Sequence, residues 1–155
     1  MVFTNKHVVT AMIVAPLLAI MAWIGAGQFA GETPGAAVPG KAYPLMEQSN
    51  CRYASGACDV ENETFRLRLT AAVAGGSELL LTSSHRLDGV VVGVGLPEEE
   101  TQPDAMRTVG GQRQEWRVKL GAAPMPAQRI RLVAMALGSS YFADVDTAFL
   151  QPRDN

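Results

Sequence analysis

The sequence predicts an all-β protein, an antiparallel immunoglobulin-like β-sandwich of six or seven strands preceded by one N-terminal transmembrane helix. Two observations predict this plan. Several short runs alternate apolar and polar residues and are separated by glycine or proline turns, as half-buried strands require. Ahead of them, the stretch from Val8 to Gly31 has no formally charged residue and is mostly aliphatic.

The uncharged stretch is long enough for a membrane span, since roughly 20 residues at about 1.5 Å each cross the ~30 Å hydrocarbon core. We expect a short N-terminus at 1–7 and a signal-anchor helix at 8–30. A flexible Gly/Pro/Ala linker at 31–42 and an exported β-sandwich domain at 43–155 should follow. A cleaved signal peptide is the alternative, but the apolar run exceeds the roughly 7 to 15 residues usual for one.

Charge around the span predicts its orientation. Lys6 precedes it, whereas the first charge after it is Glu32. The positive-inside rule then keeps the N-terminus in the cytoplasm. The alanine- and glycine-rich composition favours a bacterial source, so we expect a single-pass inner-membrane protein whose C-terminal domain faces the periplasm.

The two cysteines fit an oxidising compartment. Cys51 and Cys58 enclose only the short segment RYASGA, and such a close pair in an exported domain is typical of a structural disulfide. A redox-active pair is an alternative, although catalytic dithiols favour Cys-x-x-Cys. A zinc site would need further close ligands, and the only histidines are His7 and the distant His85.

The charge balance argues against nucleic acid as a partner. The chain has 13 basic and 15 acidic residues, for a net charge of −2. A mildly acidic domain offers no general attraction to polyanions or to an anionic lipid surface.

The strands are predicted in order along the domain. The first runs from Thr64 to Ala71, with Phe65, Leu67 and Leu69 on one face. A Gly75-Gly76 turn precedes the strand Glu78 to Ser83, and Asp88-Gly89 closes the next turn. Later strands are expected over 90–96, where two glycines indicate a bulge or the close approach of another backbone, and over 115–120, 129–137 and 140–149. Trp116 should face the core.

Two groups of carboxylates are candidates for a partner surface. Glu98, Glu99 and Glu100 lie in the longest irregular connection, Pro97 to Gly111. Together with Asp104 they could collect a divalent cation, but such charge runs are usually solvated loop tips. Asp144 and Asp146 share one face of the last strand, where we interpret them as charges that protect an exposed edge.

Catalytic motifs are absent from the sequence. It has no Gly-x-Ser-x-Gly elbow, phosphate-binding loop, dinucleotide fingerprint or His-Glu-x-x-His. Ser83 or Ser84 with His85 could be imagined as a nucleophile and base, but neighbours on a strand point to opposite faces. We therefore expect no catalytic residue, cofactor or metal site.

Two alternative functions stay open. Methionines could bind exported copper together with His85, although no Met-x-Met or His-x-Met spacing occurs; they are Met46, Met106, Met125 and Met135. An envelope thiol-disulfide protein is the second alternative, through Cys51 and Cys58.

In its overall plan, an N-terminal anchor before a small exported β-sandwich, the chain resembles the FixH-type and YtkA-type accessory proteins linked to respiratory-oxidase assembly and metal handling. The resemblance covers the plan of the whole chain and supplies no site residues. The sequence thus predicts a membrane-tethered periplasmic binding or accessory module, without catalysis, that serves an envelope or inner-membrane complex.

Overall fold

The computed structural model describes residues 6–29 and 39–153, with the helix side chains described up to Ala22. The chain divides into two compact units, Met1–Gly35 and Ala36–Asn155. Most of the predicted linker, together with Ala30 at the end of the predicted span, lies outside the described residues.

In its described residues, the first unit forms the helix α1, from Lys6 to Phe29, with Pro16 inside it. The Thr10 hydroxyl donates a hydrogen bond of 2.8 Å to the Lys6 carbonyl. Large apolar side chains are exposed along the helix: Val9, Met12, Ile13, Val14, Leu17, Leu18, Ile20 and Met21. In the described part of the chain, no helix is long and apolar enough to cross a membrane.

The second unit is a β-sandwich of two sheets, five strands in sheet A and six in sheet B. Sheet A has the order β1-β11-β10-β6-β7, and sheet B has the order β2-β3-β4-β5-β9-β8. The strands are β1 Ala42–Pro44, β2 Met46–Glu47, β3 Ala57–Asn62, β4 Phe65–Ala71, β5 Glu78–Ser83, β6 Gly89–Gly95, β7 Asp104–Ala105, β8 Arg107–Val109, β9 Glu115–Lys119, β10 Arg129–Ala136 and β11 Ser139–Asp146. Two 3-10 turns are Ser49–Arg52 and Ala148–Leu150.

Two segments pass from one sheet to the other, and each forms one of the two edges of the sandwich. β1 edges sheet A and β2 edges sheet B, and the single residue between them, Leu45, is buried. On the opposite side, β7 and β8 do the same around buried Met106. Because a short segment covers each edge and then leaves it, neither sheet ends in a long free strand.

The core lies between the inward faces of the two sheets. Sheet B contributes Leu67, Leu69 and Leu81, and sheet A contributes Ile130 and Leu132, all essentially without solvent exposure. Trp116 is also buried, as its alternation with charged neighbours predicts. The all-β sandwich is therefore confirmed, but its described residues form eleven strands rather than the predicted six or seven, because several two- or three-residue strands were not predicted.

The structure corrects several details. Every strand pair is antiparallel except β1 with β11, which is parallel. The connection from Pro97 to Gly111 is not irregular throughout, since it contains β7 and β8. The predicted last strand ends at Asp146, and its final residues form a 3-10 turn. At the end of the predicted linker, the amide of Gly40 donates to the Gly138 carbonyl at 2.8 Å.

Candidate functional site

The outer face of sheet A carries an apolar row that crosses every strand of the sheet. Phe142 on β11 is the register partner of Val133 on β10, and Val133 is the partner of Val91 on β6. The row continues at its two ends to Pro44 and Ala105. Phe142 is 44% exposed. We call these five residues the apolar row.

The outer face of sheet B differs, because its strands are bridged by ion pairs. The Arg68 guanidinium contacts the Asp59 carboxylate at 2.7 Å, and Arg66 contacts Glu61 at 2.8 Å. A solvated sheet face is normally polar in this way. The outer face of sheet A, by contrast, carries the apolar row, and exposed apolar surface of this kind is typical of an interaction site.

A charged cluster borders the apolar row. Arg129 Nε lies 2.6 Å from Asp144 Oδ1, and Arg131 Nε lies 3.6 Å from Asp144 Oδ2. The Arg129 guanidinium also reaches Asp146 at 4.0 Å and Glu47 at 3.9 Å. The hydrogen bond to Asp144 is the main cause that raises the pKa of Arg129. These groups neutralise one another where β10 and β11 meet.

The connection between β6 and β7 folds back over the same face. Arg131 Nη1 donates to the Glu99 carbonyl at 2.9 Å, and Arg131 Nη2 donates to the carbonyls of Leu96 and Pro97. Beneath the connection, Gly93 and Gly95 leave no room for a Cβ, because Thr101 packs directly on them. A close approach is present at these two glycines, but a side chain, that of Thr101, makes it rather than the predicted backbone.

The folded connection and the sheet enclose a groove of about 560 Å³, and Val91 and Val133 of the apolar row line it. Glu98, Glu99 and Glu100 also line it. Within the described residues, none of these three carboxylates forms an ion pair.

The structure brings the two predicted groups of carboxylates onto one face. Arg131 joins them, since it contacts both the Asp144 side chain and the Glu99 carbonyl. The interpretation of Asp144 and Asp146 as edge-protecting charges stays a prediction, because β1 pairs with β11 only from Ser140 to Phe142 and, among the described residues, no other strand flanks β11 on that side. No periodic pattern indicated β1, which covers only the first part of that edge of β11.

Sequence reasoning missed Val91, Val133 and Phe142 as site residues. A signal was present in the 129–137 run, where the outward positions begin with Arg129 and Arg131 and then change to Val133 and Met135. An outward position that becomes apolar in a strand with charged outward neighbours indicates a covered or binding surface.

The cysteines form the predicted disulfide, Cys51 to Cys58, with a Cα to Cα distance of 4.3 Å. Both residues are fully buried. The enclosed loop is held further by Asn50, whose Nδ2 donates to Asp59 at 2.9 Å. Arg68 lowers the pKa of the Asp59 carboxyl by a bidentate hydrogen bond. A thiol could reach these sulfurs only if the loop opened.

The proposed copper donors lie on separate elements. Met46 is on β2 and Met135 is on β10, Met125 is in the turn before β10, and Met106 is buried between β7 and β8. In the described part of the chain, no group of three or more His, Cys, Asp or Glu residues is arranged to hold a metal ion.

Ser84 and His85 do touch, because both lie in the turn after β5 rather than on the strand. Ser84 Oγ is 2.8 Å from His85 Nδ1, so the argument from opposite strand faces does not apply to them. Ser84 Oγ also accepts the Arg66 amide at 2.9 Å. The His85 ring stacks on Phe65 at a centroid distance of 5.5 Å. These contacts tie the turn to β4.

No protein-family model matches this chain, and neither the curated proteins nor the solved structures contain a significant match to it.

Proposed function

We propose that this protein is a non-enzymatic binding module that docks onto another protein through the outer face of sheet A. One observation carries the proposal: the apolar row crosses the whole sheet, while the outer face of sheet B is bridged by ion pairs. An apolar centre with a polar rim is the usual anatomy of a protein interface.

The surroundings of the apolar row support this assignment. Arg129, Arg131 and Asp144 are held by one another, so the partner need not neutralise them. Phe142 is the largest exposed side chain in the row and is the expected anchor, since buried aromatic residues dominate binding energy at interfaces.

The second part of the proposal is the location: a bacterial inner membrane, with the N-terminus in the cytoplasm and the domain in the periplasm. Its support is the uncharged sequence from Val8 to Gly31 and the position of Lys6 before it. Tethering would raise the effective concentration of the domain near membrane partners. The protein would then serve an envelope or inner-membrane complex as an accessory subunit or assembly module.

The docking face can be tested with a photoreactive amino acid placed at Phe142 in the full chain, in intact cells. We expect a discrete protein adduct. The same amino acid at Thr82, which is exposed on the outer face of sheet B, is the matched control and should give none.

A second substitution tests the apolar row itself. Val133→Glu places a charge at the centre of the row and should abolish the Phe142 adduct, because an interface hot spot is worth about 2 kcal/mol or more. Thr82→Glu should leave it. Equal adducts from both faces, or an adduct that survives Val133→Glu in folded protein, would disprove the docking face.

A further inference from the structure

Sheet B has a groove of about 510 Å³ beside β8 and β9, and Ala105 at the end of the apolar row also lines it. It opens where the β7–β8 segment leaves β9 for sheet A, at Met106 between β7 and β8. Three basic side chains line it: Arg107, Arg117 and Lys119.

The basic side chains of the groove are placed against one another. Arg107 on β8 is the direct register partner of Arg117 on β9, so both lie on the same face of the sheet. Lys119 lies two residues along β9 and therefore shares that face. Like charges directly opposite on neighbouring strands are destabilising.

The acidic residues near the groove compensate for only part of this charge. Glu78 lies 3.5 Å from Arg117. Among the residues that the structure describes, Arg107 and Lys119 form no ion pair. Asp104 also lines the groove, but from β7 in sheet A. Elsewhere on the outer face of sheet B, Arg66 and Arg68 each have a carboxylate partner within 3 Å.

We propose that this groove binds a phosphate group through Arg107, Arg117 and Lys119. A phosphate offers three or more acceptor oxygens and up to two negative charges, and the guanidinium fork matches its geometry. When a phosphate lies between the two arginines, both guanidinium groups are attracted to it, and this attraction offsets their mutual repulsion. A carboxylate, with one charge and two oxygens, would satisfy fewer of these donors.

The first test is thermal unfolding of the full chain in a non-ionic detergent. Sodium phosphate is compared with sodium chloride and sodium acetate at one constant ionic strength, so that screening is equal. We expect phosphate to raise the melting temperature, and acetate to raise it less. Equal melting temperatures in the three salts would overturn the proposal.

Variants assign the effect to the groove. In Arg107→Gln and Lys119→Gln, phosphate affinity measured by calorimetry should fall about tenfold each, the usual effect of losing one charged hydrogen bond. Arg68→Gln, on the same face but outside the groove, is the matched control and should keep it. An unchanged affinity in Arg107→Gln would overturn the assignment.

A further measurement needs no ligand. In low salt without phosphate, Arg107→Gln should melt about 1 to 3 °C higher than the unmodified chain, because the unfavourable Arg107–Arg117 pair is removed. In saturating phosphate the order should reverse. A variant that is less stable under both conditions would show that Arg107 has only a structural role.

The phosphate group could come from free phosphate or from a lipid headgroup. Glycerophosphoglycerol, the deacylated headgroup of phosphatidylglycerol, distinguishes these sources without involving α1. Affinity at least equal to that of inorganic phosphate would support the proposal with a lipid headgroup as the source. Binding of inorganic phosphate alone would support it with free phosphate, and binding of neither would overturn it.

Discussion

Trp116 contributes the largest side chain to the core on the sheet B side. Its side chain is only 6% exposed, and its indole Nε1 donates to the Arg113 carbonyl at 3.1 Å. The alternation of apolar and charged residues from Glu115 to Leu120 predicted the inward position, because side chains on a strand point to opposite faces in turn.

Replacing Trp116 should therefore be severely destabilising. Trp116→Ala removes the largest side chain of β9 from the core, and we expect a loss of about 3 to 5 kcal/mol in the free energy of unfolding. Denaturant unfolding of the full chain measures this, with Thr82→Ala as the control on an exposed position. A loss below about 1 kcal/mol would mean that the pocket around the indole collapses at little cost.

Predictions for single residues were less successful where the local structure is determined by a segment distant in the chain. The glycines of β6 indicated a close approach of another backbone, whereas the group that packs on them is the side chain of Thr101. Leu137 was predicted to belong to a strand, yet it has a φ of 51° and begins the turn to β11 with Gly138. Positive φ at leucine is unfavourable, so no sequence pattern indicates it.

At the scale of elements, most long strands were predictable, whereas the short ones and the six-residue β3 were not predicted. β4, β5 and β9 follow the predicted ranges closely, because each has apolar residues on one face over at least five positions. β1, β2, β7 and β8 have only two or three residues each. Such pieces carry too few positions to show a period, and their pairing depends on where the two sheets meet.

The disulfide loop before β3 is the element whose role can be tested directly. The disulfide joins two residues that are seven positions apart in the chain, and both cysteines pack in the core. Replacing both Cys51 and Cys58 with serine should lower the free energy of unfolding by about 2 to 3 kcal/mol, the value expected for a short closed loop.

The Phe142 crosslinking assay distinguishes a structural disulfide from a pair of cysteines with thiol chemistry. At a temperature where the double variant stays folded, a structural pair predicts that the Phe142 adduct persists. Cys51→Ser alone, compared with the double variant, is the control for an unpaired thiol. Loss of the Phe142 adduct in either variant, while circular dichroism and protein abundance stay unchanged, would contradict the non-enzymatic proposal.

At the scale of the whole molecule, the net charge conceals an uneven distribution. The balance of −2 gave no reason to expect an anion site, yet Arg107 and Arg117 are register partners on one sheet. Register decides which charges become neighbours, and in this sandwich it depends on the strand β8, which showed no periodic signal. The candidate carboxylates were identified from the sequence, whereas their position beside the apolar row required the fold.

The location of the whole chain is the last prediction. A phosphatase reporter fused after Asn155 should be active only if the second unit is exported, because such a reporter needs disulfides that form outside the cytoplasm. We expect activity in the full-length fusion, because Lys6 precedes the uncharged stretch and the first charge after it is Glu32. A fusion that lacks residues 1–30 is the control and should be inactive. Fractionation with immunoblotting then distinguishes an anchor from a cleaved signal peptide, since only an anchor leaves the full-length product in the membrane fraction. An inactive full-length fusion that accumulates to normal levels would disprove the periplasmic location, and with it the proposal that this domain serves an envelope complex.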